Sequence, residues 1–432
     1  MKRIIAHVDA NCFYASVEMM RNPRLREIPF AVCGSTEKRH GIVLTANYPA
    51  KRLGIKTGMA NWQAREACPG LIVVHPHMNF YIQYSGFMRE MYSHYSDRVE
   101  SFGLDECFID LTGCVPSFEA GIKAIQEIKE RIKRELGVTV SIGLSDNKVF
   151  AKLGSDIKKP DNYTIIPRTQ FHEIVWPLPV NKLLYVGPKT TRKLKLLGVH
   201  TIGDLAKLDE KVIYQWLGKV GLILRAFANG EDKSKVAPED FTTPIKSIGN
   251  SCTCPRDLET DEDVKIILTL LSESVGARLM ELGLCATGIE FSFSNHDFTG
   301  YGARQCRIPY PTYLSKEISE TAFKLFKQVY GNWPAPLRKV GVRAGELVTM
   351  DAPRQLSIDT NGDKLAKLEQ LESTINRLRE RYGNKVVQRA VMLTDPVLSR
   401  IDAKKDNTVH PVGVFNGGMS VSWGGYSTTI MA

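Results

Sequence analysis

Three acidic side chains stand where chemistry could use them. Asp9 follows an apolar run at residues 4–8, where a carboxylate would emerge from the end of a buried strand. Asp105 and Glu106 lie at the tip of Gly103-Leu104-Asp105-Glu106, between the apolar stretches 99–102 and 107–111. If that hairpin lies beside the first strand in one sheet, the three carboxylates gather at one edge. Such a cluster needs cations to neutralise it, and hard oxygen donors suit Mg²⁺. Two such ions about 3.5–4 Å apart can activate an attacking hydroxyl and stabilise a leaving pyrophosphate. Acidic residues at strand ends and in β-turns are also common where no metal binds, so these residues alone leave both readings open. Asp110 is expected to be directed elsewhere by alternation from Glu106.

The elements that must position these groups alternate along residues 1–165. Strands are expected at 3–8, 28–32, 42–45, 72–74, 99–102, 107–111 and 138–143. Helices are expected at 13–20, 49–53, 61–67, 79–96, 118–136 and 148–156, with Gly137 capping the fifth. Residues 166–235 change to short helices with glycine turns, two of them joined by Val186-Gly187-Pro188-Lys189-Thr190-Thr191-Arg192-Lys193-Leu194. From 242 to 346 the order is strand, helix 261–282, two strands around Asn295, helix 315–330 and strand 337–342, a split βαβ pattern. A tail at 347–432 holds one strongly helical piece, 363–382. Its closing stretch is rich in Gly, Ser and Thr and carries little core-forming signal.

The 432 residues call for two to four domains, and 43% apolar with 24% charged residues is the balance of a soluble globular protein. No run of about 18 apolar residues occurs, so no membrane span is expected. The start meets Asp9 before any signal-peptide core could form, which predicts a cytoplasmic protein. The nine cysteines are scattered and never spaced Cys-x-x-Cys, which argues against a zinc site or a disulfide framework. Cys252 and Cys254 read as two thiols on one sheet face. A formal charge of +10 and a pI near 9.0 point to a polyanionic partner.

Four longer motifs carry a resemblance. They are Val8-Asp9-Ala10-Asn11-Cys12-Phe13-Tyr14-Ala15-Ser16-Val17-Glu18, Thr45-Ala46-Asn47-Tyr48-Pro49-Ala50-Lys51-Arg52-Leu53-Gly54-Ile55-Lys56, Gly103-Leu104-Asp105-Glu106-Cys107-Phe108-Ile109-Asp110, and Ser141-Ile142-Gly143-Leu144-Ser145-Asp146-Asn147-Lys148-Val149-Phe150-Ala151-Lys152 followed by Lys159-Pro160. In this order, over residues 1–345, they resemble the Y-family (lesion-bypass) DNA polymerases, nearest the bacterial DinB (polymerase IV type) and UmuC branches. The resemblance implies an α+β multidomain right hand: a ferredoxin-like palm (1–17 and 76–165), small fingers (18–75), a helical thumb with a helix-hairpin-helix (166–235) and a βαββαβ little finger (242–346). It implies DNA-templated synthesis with low fidelity, bypass of damaged bases and no proofreading, as part of a bacterial DNA-damage (SOS) response.

By the same resemblance Asp9, Asp105, Glu106 and the backbone carbonyl of Ala10 would hold two Mg²⁺ ions. Phe13 and Tyr14 would face the incoming nucleotide, with Tyr14 under the deoxyribose, where an added 2′-hydroxyl would clash. Thr45, Tyr48, Lys51, Arg52 and Lys159 would supply donors to the triphosphate. Family members usually carry Arg where Lys51 stands. Arg52 follows, but on a helix it points about 100° away. Gly103 stands where Ser is commoner. Gly187 and Lys189 belong to a turn that would present N–H groups to a DNA phosphate. Residues 166–240 hold 12 Lys and Arg against 8 Asp and Glu, in keeping with such a surface. Lys246, Arg304, Arg307, Arg338 and Arg343 are candidates to touch DNA backbone in the little finger. In the tail, Gln355-Leu356-Ser357-Ile358-Asp359 is reminiscent of a sliding-clamp-binding peptide, with Asp359 where that peptide has an aromatic. The partners implied are primer-template DNA and deoxynucleoside triphosphates. Two other classes share some of these features: a two-metal nucleotide cyclase, and a non-catalytic DNA-binding repair scaffold.

Overall fold

The computed structural model describes residues 3–36, 41–238, 241, 244–330, 335–355 and 362–403. It divides into two compact units, one within residues 1–34 and 42–242, the other within 243–409.

In the first unit β1 (Ile5–Ala10) is buried at every position, as an apolar run at the centre of a sheet should be. It extends two residues past the expected end because Asp9 and Ala10 still pair with Ser141 and Val140. After α1 (Phe13–Arg21), the elements β2 (Phe30–Cys33), β3 (Val43–Ala46), α2 (Tyr48–Arg52), α3 (Asn61–Ala67) and β4 (Ile72–Val74) build a small sheet of order β3-β2-β4. Its own core includes Ala31, Val43, Ala50, Ile55 and Ala64.

The chain then returns through α4 (Met78–Ser93), β5 (Val99–Ser101), β6 (Glu106–Asp110), α5 (Phe118–Leu136), β7 (Val140–Ser145), α6 (Lys148–Ile157) and β8 (Tyr163–Ile166). The large sheet has the order β5-β6-β1-β7-β8. Its helix α5 shows why sequence dictates placement. Ser117 caps the start by accepting from the Ala120 amide, Gly137 closes the end at φ 66°, and Gly121, Ile125, Ile128 and Ile132 form one buried stripe. Each buried isoleucine contributes about 1.5–3 kcal/mol of transfer free energy. On the same sheet α6 lies unusually close. A β-carbon at Gly143 would collide with the Ala151 carbonyl and the Ser155 amide. Glycine at 143 therefore lets α6 settle onto the strands, which brings Lys152 and Ser155 over β1.

The helical part follows as α7 (Phe171–Ile174), α8 (Pro188–Leu196), α9 (Ile202–Lys207) and α10 (Glu210–Ala228). Val149, Phe150 and Leu153 of α6 share its core with Phe171, Leu194, Leu205 and Leu224. Residues 188–194, expected as the joint between two helices, are themselves the first turns of α8. Proline fits the first helical turn because its missing N–H is not needed there. The element before the turn is a 3₁₀ segment, Val180–Lys182, not an α-helix.

The second unit is β9 (Ser247–Leu258), α11 (Asp261–Glu281), β10 (Leu284–Asn295), β11 (Tyr301–Thr312), α12 (Ser315–Tyr330), β12 (Leu337–Thr349) and α13 (Gly362–Tyr382). Sheet order is β11-β10-β12-β9, with every neighbouring pair antiparallel. β9 and β10 are therefore parallel with β12 between them, which is the split βαβ crossover. Ile289, Phe291, Val340, Val342 and Ala344 face the helices. Cys252 and Cys254 share that core as two buried free thiols.

The expected tail is not free through residue 403. Leu365, Met392, Leu398 and Ala403 are buried in the same core. Arg389 reaches Glu273 (2.9 Å) and Glu372 (3.1 Å), and Arg256 reaches Asp263 (2.5 Å) and Asp395 (2.6 Å). Sequence reading missed this because a helix rich in Lys, Arg and Glu looks solvated, whereas its buried positions include Glu372 and Asn376. Among the described residues no helix is long and apolar enough to cross a membrane.

Candidate active site

β1 and β6 run antiparallel with Asp9 directly opposite Glu106, and the Ala10 amide donates to the Asp105 carbonyl at 2.9 Å. Directly opposed residues point to the same face. Two carboxylates from distant stretches are thus brought together by strand register alone, with Asp105 one residue away at the hairpin tip. Gly103 is not in the left-handed region, and a β-carbon there would only touch Asp105 Oδ1 at 3.4 Å. The hairpin therefore does not depend on the glycine. Asp110 also lies on β6, but alternation is not what removes it, since position i+4 returns to the same face. Its distance along the strand does so: it pairs with Ile5 and accepts from the Thr112 amide.

The acids meet two ammonium groups. Lys159 Nζ lies 2.7 Å from Asp9 Oδ2, while Lys152 Nζ lies 3.4 Å from the same oxygen and 2.9 Å from Glu106 Oε1. Asp156 holds both lysines, at 2.8 and 3.2 Å. Burial pushes the Asp9 carboxyl up to about 7 against the pull of Lys159 and Lys152. Burial, then the neighbouring Glu106 charge, raises Asp105 as well. Glu106 goes the other way: burial would raise it, but His7 and Lys152 outweigh that and hold its carboxyl well below the usual range. His7 is fully buried between β1 and α6, on the same sheet face as Asp9. Its Nδ1 is 2.9 Å from Ser155 Oγ and its Nε2 faces Glu106 at 3.7 Å, and burial lowers the imidazole to about 4, so it is neutral.

Hard carboxylate oxygens from one strand and one hairpin are the donor chemistry of a divalent cation site. The Lys152 ammonium bridging Asp9 and Glu106 is a positive charge standing in for one. In this arrangement, among the described residues, no three His, Cys, Asp or Glu side chains are close enough to share an ion. The donor set fits Mg²⁺ once both ammonium groups leave Asp9.

Around the acids, Tyr14 is half-buried and stacks on the fully buried Tyr81, with centroids 4.4 Å apart at 15°. Tyr81 in turn donates to the buried Glu18 at 2.6 Å. Phe13, expected beside Tyr14 as a nucleotide contact, turns instead into the palm core and is 3% exposed. Tyr48 is held in the site: burial first, then the neighbouring Cys12 thiol and the Asp9 charge, raise its hydroxyl. Lys51 lies over the Tyr48 ring at 5.2 Å, and Lys51 and Arg52 are both exposed. Thr45 sits on β3 opposite Val32, 9% exposed. Lys152, Asp156 and His7 were not singled out from sequence. Their signal was present in the spacing of Lys152, Asp156 and Lys159, which repeats at helical intervals along and just beyond α6.

The other candidates fall into separate places. Gly187 caps α8, and both it and Lys189 are exposed. On the second unit, the sheet face away from the helices carries Ser247, Gly249, Ser251, Ser292, Lys339, Gly341, Arg343 and Gly345, by register with the buried positions. Arg343 pairs there with Glu290, and Arg307 with Glu346 at 2.8 Å. Lys246 is exposed beside them and lines the same cleft. Arg304 is opposite Phe291, which puts it on the helix side of the edge strand, away from this face. Arg338 is half-buried, with its guanidinium 5.6 Å over the Phe298 ring. Of the clamp-like peptide, Gln355 is exposed, and Leu356–Asp359 lie outside the described residues.

Known proteins share this chain's sequence and fold. The family model described as impB/mucB/samB family matches residues 8–156, and that of the impB/mucB/samB family C-terminal domain matches 245–358. The chain is 48% identical over 401 residues to DNA polymerase IV of Acetivibrio thermocellus, covering 93% of this chain and all of that protein. It is 36% identical over 393 residues to DNA polymerase IV 1 of Bacillus subtilis, covering 90% and 93%. A solved Y-family DNA polymerase chimera shares the fold, with a TM-score of 0.72 over 80% of this chain and 99% of that one at 24% identity. With two carboxylates registered across β1 and β6, and relatives that span its length, the chain belongs to the Y family of DNA polymerases, among the proteins named DNA polymerase IV.

Proposed function

We propose that the cleft around Asp9 and Glu106 joins deoxynucleotides on a DNA template, copying damaged as well as intact bases. The chain is a DNA-directed DNA polymerase of the translesion kind, with divalent-metal-dependent catalysis. The observation that carries the site assignment is the Asp9–Glu106 register with Asp105 beside it.

Asp9, Asp105, Glu106 and the Ala10 carbonyl would hold two Mg²⁺ ions, which when bound lower the primer hydroxyl's pKa and neutralise the triphosphate. The remaining work belongs to side chains. Lys159 rests on Asp9 at 2.7 Å. An arriving triphosphate gives that ammonium a better partner and releases Asp9 for the metal. Lys152 stays between Glu106 and Asp156, limiting repulsion among the acids. Tyr48 and Lys51, with Thr45 and Arg52 near them, supply further donors to the phosphates. A lysine at 51 gives a point charge where a planar fork would grip two oxygens. Tyr14, backed by Tyr81, forms the floor under the sugar. The domains follow as palm at 1–17 and 76–165, fingers at 18–75, thumb at 166–235 and little finger from 242. The little-finger core here runs on to residue 403. Gly187 and Lys189 would meet DNA phosphates in the thumb, and Lys246, Arg307 and Arg343 in the little finger. Short fingers leave an open site, which tolerates distorted bases at a cost in fidelity. Gln355–Asp359 would be the contact to a sliding clamp.

The test is primer extension on undamaged and abasic templates with Mg²⁺, beside the double variant Asp105→Ala, Glu106→Ala. Wild-type extension on both templates, lost in the variant while DNA binding persists, is the expected result. Extension surviving in the variant would refute the acidic assignment. Product formation from a deoxynucleotide without DNA would point to a cyclase.

A further inference from the structure

The loop that carries Lys159 is held in a way that the reaction as described does not require. It joins α6, ending at Ile157, to β8, starting at Tyr163. Asp161 in this loop has φ 51°, the left-handed region that L-residues other than Asn and Asp rarely occupy. Aspartate enters that region at modest cost, and its neighbours here hold it there.

Three contacts do so. The Asp161 amide donates to Asn11 Oδ1 at 2.9 Å. Its carboxylate takes Lys129 Nζ at 3.0 Å and Lys133 Nζ at 2.6 Å, two cations one turn apart on α5. Asn11 is itself 2% exposed and fixed by donating to Ser141 Oγ at 2.8 Å. The loop is thus tied to the end of the strand that bears Asp9 and, on its other side, to the long palm helix.

We propose that Asp161 is a positioning residue for the incoming nucleotide's triphosphate. It fixes the backbone two residues beyond Lys159, so that transfer of the ammonium from Asp9 to a phosphate is a side-chain rotation with no loop search. The inference rests on the assignment of Lys159 to the triphosphate. With the anchor removed, the loop must be ordered at each binding event, which weakens nucleotide binding and leaves the chemical step alone. The partners of Asp161 lie on α5 and at Asn11, just past β1, so comparison with Lys159→Ala isolates the part of the effect that passes through Lys159.

Steady-state extension on undamaged primer-template would compare wild type, Asp161→Ala, Lys159→Ala and the double variant, with the DNA dissociation constant measured for each. Asp161→Ala should raise the KM for the deoxynucleotide about 5- to 10-fold, with kcat and DNA affinity within about twofold. The double variant should be no worse than Lys159→Ala alone, because coupled residues are not additive. Multiplying effects in the double variant, or an unchanged KM in folded Asp161→Ala, would overturn the proposal. If Lys159→Ala itself leaves KM unchanged, the triphosphate role of Lys159 fails instead, and the anchor's function with it. Should Asp161→Ala melt early, Lys133→Met removes the shorter ion pair without touching the loop. It should raise KM about twofold, and no change there would count against the anchor.

Discussion

The two large sheets of this protein handle charge in opposite ways. The five-stranded sheet gathers Asp9, Glu106, Lys152, Lys159 and Asp156 around one point, mostly buried, each within 3.4 Å of an opposite charge. The four-stranded sheet spreads Lys339, Arg343 and Arg307 over an exposed face paved with serine and glycine. Chemistry at a phosphate needs a dense, preorganised field, whereas tracking a polyanion needs many weak and replaceable contacts. The contrast teaches that single changes should be decisive in the first sheet and graded in the second.

The steepest expected loss tests the dense side. Glu106→Gln keeps the shape but removes the charge opposite Asp9. It should lower kcat about 10³-fold while changing the DNA dissociation constant by less than about twofold, read by single-turnover extension and filter binding. A loss under tenfold would mean the acids do not act as a unit. Next, Tyr14→Ala opens the floor under the sugar and should reduce the preference for deoxy- over ribonucleotides by about 10²-fold, measured as the ratio of kcat/KM values.

On the dispersed side, Lys246→Ala, Arg307→Ala and Arg343→Ala together should weaken DNA binding about 10- to 30-fold near 0.1 M salt. The slope of log affinity against log salt should become shallower by up to about 3, with kcat at saturating DNA retained. Because Arg343 and Arg307 are already paired with Glu290 and Glu346, the charge-removing pair Glu290→Gln, Glu346→Gln should tighten DNA binding about two- to fivefold. Weaker binding there would show that the carboxylates orient the arginines and do not compete with DNA.

The smallest effect concerns acid. Burial would raise Asp263, but its bonds to Arg256 hold it below the usual carboxylate range, and Asp395 behaves likewise. Depressed carboxylates contribute stability that is present above about pH 4 and is lost as pH falls through the lower folded value. Acid unfolding of the second unit should therefore move to higher pH in Arg256→Met, followed by far-ultraviolet circular dichroism.

Much of this was legible beforehand. Apolar runs and glycine stops marked most strands and helices through α6 and the helices of the second unit, since periodicity reports one-sided burial, whereas β8 and the long α10 went unmarked. That Asp9 and Glu106 meet was legible because strand ends and hairpin tips are where sheets expose acids. What escaped was set by three-dimensional closeness. His7 looked like one more residue of an apolar strand, and Lys152 like a helix-surface lysine, until Gly143 let α6 descend onto β1. Phe13 and Tyr14 are adjacent aromatics both expected at the nucleotide, yet the rotation of about 100° between neighbours on a helix sends the first inward and leaves the second half-exposed. Arg304 and Arg307 seemed equivalent, but an odd spacing on a strand places them on opposite faces.

One further consequence follows from the burial of Leu365, Met392, Leu398 and Ala403 in the core of the second unit, where the segments bearing Met392 and Leu398 pack on α11. The recognised C-terminal family segment stops at residue 358, but the solvent-proof interior does not. A recombinant fragment trimmed at that customary border would leave greasy helix backs bare, whereas one carried forward some forty-five residues would bring its own seal.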